Sequence, residues 1–137
     1  MADTVRSVPY QYVTVPDTPG EGQQVLSALR DRGVNLLAFL GFPAEGGRTQ
    51  LDLVPDDPDA LRAAADEAGV TLSEPKRVFL VQGEDRAGAV ADTTAKLAEA
   101  NVNITAAAAV AAGSGTFGMI VWVAPADFER AAAALGV

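Results

Sequence analysis

The sequence predicts an α+β protein made of two ferredoxin-like βαββαβ units, and three observations carry that expectation. The chain repeats itself at an offset of 68 residues, which pairs Asp17 with Asp85, Gly20 with Gly88 and Asn35 with Asn103. Each copy reads as strand, glycine-containing turn, helix and strand, followed by a return strand and a second helix. The strand that opens each copy carries apolar residues on both faces: Tyr10, Tyr12, Val78 and Leu80 on one, Val13, Val15, Phe79 and Val81 on the other. Strands of that kind are covered on both sides. The expected units are therefore antiparallel sheets with both helices on one face and a further sheet or subunit on the other face or along an edge.

Taken in order, residues 4–8 alternate weakly up to Pro9 and read as a short edge strand. Residues 10–15 are aromatic and β-branched, a second strand. Residues 17–22 form a turn in which Pro19 fixes φ and Gly20 permits unusual backbone angles. Val25, Leu26 and Leu29 then recur at helical spacing. Gly33 stands where a left-handed helix cap belongs, and its counterpart Asn101 is a residue type that tolerates that conformation.

Residues 34–42 predict an apolar strand, residues 44–47 a hairpin turn, and residues 49–54 the return strand, with Gln50 and Asp52 facing away from Leu51 and Leu53. The acidic run Asp56, Asp57 and Asp59 beside Pro58 opens the next helix, where a carboxylate caps amide groups and complements the helix dipole. Gly69 closes it, and residues 70–73 begin another short strand.

In the second copy, residues 104–112 are alanine-rich, six alanines in nine, which propensity alone assigns to a helix. The repeat sets them opposite residues 36–44, so a strand is expected, with close approach of a ligand or another sheet as the reason for small side chains. Residues 116–124 and 127–135 are the last return strand and helix, and Gly136-Val137 repeats Gly69-Val70. The copies are thus residues 10–75 and 76–137. The second lacks its final strand, and residues 3–9 are positioned to supply it. Residues 4–8 are expected to pair antiparallel with residues 78–82, and residues 70–74 with residues 10–15, so that edge strands are exchanged between the repeats.

The 137 residues, 49% hydrophobic and 20% charged, suffice for a buried core. A net charge of −8, with no basic cluster longer than Lys76-Arg77, argues against nucleic acid as a partner. No apolar run approaches the ~20 residues that span a bilayer, and the first ten residues do not read as a secretory signal. The chain has no cysteine and no histidine, which removes disulfides, thiolate nucleophiles, the commonest general base and most zinc sites. The expectation is a non-enzymatic cytoplasmic protein with no cofactor, no metal and no catalytic residues.

A strand, then D-x-x-G, a helix and a V-N-[LI] strand start, within a βαββαβ unit of ~70 residues, resembles the ACT domain. The motif stands as Asp17-Thr18-Pro19-Gly20 with Val34-Asn35-Leu36, and as Asp85-Arg86-Ala87-Gly88 with Val102-Asn103-Ile104. The second copy carries Ala87 where the family often has proline. The resemblance covers essentially the whole chain as a tandem pair, and it implies a regulatory protein that binds small molecules, typically amino acids. It also implies sites between paired units, where the turn before the first helix meets the start of the second strand of a neighbour. By position the ligand-binding candidates are Asp17, Thr18, Pro19, Gly20 and Asn35, with Asp85, Arg86, Ala87, Gly88 and Asn103.

Backbone N–H groups at a helix start suit an amino acid's carboxylate, and Asp or Asn side-chain oxygens suit its ammonium. Simpler roles stand beside these. Aspartate and glycine are routine turn residues, asparagine satisfies strand ends, and Arg86 has Glu84 and Asp85 beside it. The expected partner besides the ligand is a second copy of the chain or a partner enzyme. A ligand-independent oligomerisation or docking subunit for a metabolic enzyme is the alternative function.

Overall fold

The computed structural model describes residues 3–137. Its elements are β1 (Thr4–Pro16), α1 (Glu21–Asp31), β2 (Leu36–Ala44), β3 (Arg48–Pro55), α2 (Pro58–Ala68), β4 (Lys76–Glu84), α3 (Ala89–Glu99), β5 (Ile104–Gly113), β6 (Thr116–Val123) and α4 (Phe128–Leu135). A 3-10 turn, Pro125–Asp127, leads into α4. The chain divides into two compact units: residues 9–76, and residues 3–8 together with 77–137.

In the first unit β3 lies between β2 and the second half of β1, antiparallel to both. Val13 pairs with Leu51 and Phe39 with Leu53. The alternation of β1 and β3 sends Val13, Val15, Leu51 and Leu53 to one face, where they pack with Leu29 of α1 and Leu61 and Ala64 of α2. Helix α2 starts as expected: Asp57 caps it, its carboxylate accepting from the Asp59 amide at 3.0 Å and the Ala60 amide at 3.3 Å. Of the acidic run, Asp57 caps the helix, Asp56 accepts from Asn35 and Asp59 pairs with Arg62; no metal-binding group of acidic residues occurs among the described residues.

In the second unit β6 lies between β4 and β5, again antiparallel, with Phe79 opposite Val121 and Ala107 opposite Val121. Phe79, Val81, Leu97, Phe117, Met119, Val121 and Phe128 form its core. The Phe79 and Phe128 rings stack at 4.4 Å, and the Arg77 guanidinium sits 3.9 Å over the latter. Next to β4 on its outer side runs the first half of β1, with Val5 packed against this core. Residues 4–8 of this one strand thus belong to the second unit and residues 9–16 to the first.

Two details differ from the sequence reading. Residues 4–16 are one strand, not two separated at Pro9. Extended backbone accommodates proline's φ, and Pro9 falls where β1 passes from one unit to the other. Residues 70–75 do not form a regular strand. Ser73 bonds to β1: its amide donates to Tyr12 O at 2.8 Å, its Oγ accepts from the Tyr12 amide at 2.9 Å, and its carbonyl accepts from Gln11 Nε2 at 2.8 Å, while Val70 and Leu72 pack against the core that contains Val13 and Val15.

The repeat is carried by backbone geometry more than by side chains. Gly33 and Asn101 are both left-handed, at φ 78° and 58°. The next residues, Val34 and Val102, return their amides to Leu29 O and Leu97 O, the closing bond of a left-handed helix cap. That bond delays the following strands to Leu36 and Ile104, two residues beyond the expected start of the first. Both strands then slip register at the same place, between Leu36 and Ala38 and between Ile104 and Ala106. The alanine-rich segment is a strand, as the repeat requires, because its backbone groups pair with β6. Pairing offsets alanine's helical preference of a few tenths of a kcal/mol per residue.

Candidate ligand site

The two turns have one backbone. Asp17 N donates to Gly47 O and Asp85 N to Gly115 O, both at 2.9 Å. Glu21 N reaches Thr18 O at 3.3 Å and Ala89 N reaches Arg86 O at 3.2 Å, so Ala87 reproduces the turn without the proline that Pro19 provides. Gly20 and Gly88 are the N-cap residues of α1 and α3, left-handed at φ 91° and 84°, and neither helix start has a side-chain cap. A Cβ at Gly20 would meet nothing within 4 Å, and one at Gly88 would come no nearer than 3.7 Å to Arg86. Within the chain, glycine is demanded by its φ rather than by crowding.

The side chains differ. Asp17 Oδ1 accepts from Thr49 Oγ1 at 3.0 Å. The position equivalent to Thr49 is Phe117, which has no hydroxyl, and the Asp85 carboxylate makes no hydrogen bond or ion pair among the described residues. Asn35 Nδ2 donates to Asp56 Oδ2 at 3.3 Å, and its carbonyl accepts from the Asp56 amide at 3.0 Å. The position equivalent to Asp56 is Ala124, and the exposed Asn103 side chain has no such partner. The first copy satisfies its two candidate polar residues internally, and the second leaves both open.

Arg86 is not open in the same way. Its guanidinium binds Asp92 Oδ2 at 2.5 Å and Ala87 O at 3.3 Å. The hydrogen bond to Asp92 and that carboxylate's charge raise its pKa, with Asp3 and Glu84 adding to the effect.

A cavity of about 390 Å³ opens beside this turn, lined by Asp85, Arg86, Gly88, Val90, Val110 and Phe117 among others. Asn103 lines a separate cavity of about 400 Å³ with Thr94, Ala98 and Ile104, and Ala91 of α3 borders both. Asp85 precedes α3 and Asn103 follows it. The helix has 11 residues, about 16 Å at ~1.5 Å each, so a small ligand at one end does not reach the other. The structure thus brings Asp85, Arg86 and Gly88 to one cavity, but not Asn103.

One notable residue escaped the sequence reading. Asp52, assigned to a polar strand face, is 3% exposed. Burial raises its pKa, opposed by the hydrogen bond from Gln50 Nε2 at 2.9 Å and by the charge of Lys76. Period-two alternation separates faces but does not say whether the polar face is wet.

No family model and no curated protein matches the chain. Solved structures do. A protein from Bacteroides thetaiotaomicron, BT0572, superposes with a TM-score of 0.81 at 15% identity, over 96% of this chain and 88% of that one. The ligand-free regulatory subunit of aspartate kinase from Thermus thermophilus gives 0.64 at 17% identity, over 98% and 94%. The corresponding subunit from Thermus flavus gives 0.60 at 21%, over 99% and 95%. The likeness is one of fold: two ferredoxin-like α+β units in one chain.

Proposed function

We propose that this chain is a regulatory protein that binds a small molecule, an amino acid, and has no catalytic activity of its own. The observation that carries the reading is the turn of the second unit. There an exposed carboxylate with no hydrogen bond or ion pair among the described residues, Asp85, stands beside the uncapped start of α3 and a cavity of about 390 Å³. Free amide groups at a helix start take an anion, and the aspartate takes an ammonium, so the two charges of an amino acid have complementary groups. The aspartate kinase regulatory subunits with the same fold support a regulatory role. A cytoplasmic setting agrees with a chain free of cysteine.

Asn103 enters such a site from a second copy. Two chains with α3 and β5 running antiparallel to their counterparts would bring Asn103 of one to the Asp85 turn of the other, giving a homodimer with two equivalent sites. The test is thermal unfolding of the chain with each of the twenty amino acids. A ligand at about 100 times its Kd adds roughly 2.7 kcal/mol to native stability, a rise of about 9 °C for a chain of this length. Indifference to all twenty would favour the docking-subunit reading. For that reading the exposed Leu37 and Phe39 of β2 supply apolar side chains in the first unit, and the exposed Val110 of β5 one in the second.

A further inference from the structure

We draw no further inference here: the strongest candidate, the exposed alanine-rich edge strand β5 with the small side chains of Ala91, Ala95 and Ala98 on α3 beside it, belongs to the pairing of two copies already proposed, and nothing in the structure shows what else covers it.

Discussion

Thr49 in the first unit and Phe117 in the second hold equivalent positions, as do Asp56 and Ala124. Each exchange removes a polar partner from a motif residue whose backbone setting is unchanged. Asp17 and Asn35 are bound within their own unit, while the exposed Asp85 and Asn103 side chains make no such bond among the described residues. The two units therefore share a backbone scaffold and differ in side-chain pairing: the first turn's motif residues bond within their own unit, and the second's have no such bonds among the described residues. A motif residue is a binding residue only when its neighbours leave it free, and those neighbours lie 21 and 32 residues further along the chain.

The two units also differ in how they are completed, and that contrast is open to test. The largest effect is expected from removing residues 1–8. Val5 packs against the second unit's core and Val8 is buried, so loss of this half-strand should cost about 3 kcal/mol or more and expose the edge of β4. Hydrogen exchange should then rise in β4 and β6 well before it rises in β2 and β3. Equal loosening of the two units would show that β1 does not divide its support in this way.

A smaller difference is expected at the second helix of each unit. Asp57→Ala removes a side chain that caps two amides and should cost about 1 kcal/mol in a denaturation midpoint. Asp127→Ala, at the corresponding helix start, removes no cap, only a salt bridge to Arg130 at 2.9 Å. It should cost about 0.5 kcal/mol or less. Similar losses at the two positions would break the contrast.

The finest test is a slope rather than a step. Burial raises the Asp52 pKa, so the native state holds this proton to higher pH than the unfolded chain does. Stability from the protonated form is complete below the ordinary carboxylate range and is lost as pH rises from there through the raised pKa. Asp52→Asn should abolish that slope, and its stability relative to the native chain should improve as pH increases. The second unit has Ile120 at the equivalent position and nothing to titrate there. Unfolding measured from pH 4 to pH 8 should diverge for the two proteins, and parallel curves would contradict the assignment.

By itself the sequence determined the architecture. An offset of 68 residues, read from turn glycines, helix caps and strand-start asparagines, was enough to assign a strand to the alanine run of β5 against its intrinsic preference. Such positions are legible because backbone conformation restricts residue type locally: left-handed φ at Gly20, Gly33 and Asn101 admits few alternatives. Residues 4–8 were legible as a borrowed edge for a similar reason, since an open strand edge must be covered. Tertiary structure alone decided the rest. It ran β1 through Pro9 without a break, left residues 70–75 without a regular strand, and buried Asp52. It also decided which copy of the motif stays free, because whether Asp17 meets a hydroxyl depends on the register between β1, β3 and the turn. Local backbone demands are written in neighbouring residues, whereas satisfaction of a side chain depends on partners that only folding brings within 3 Å.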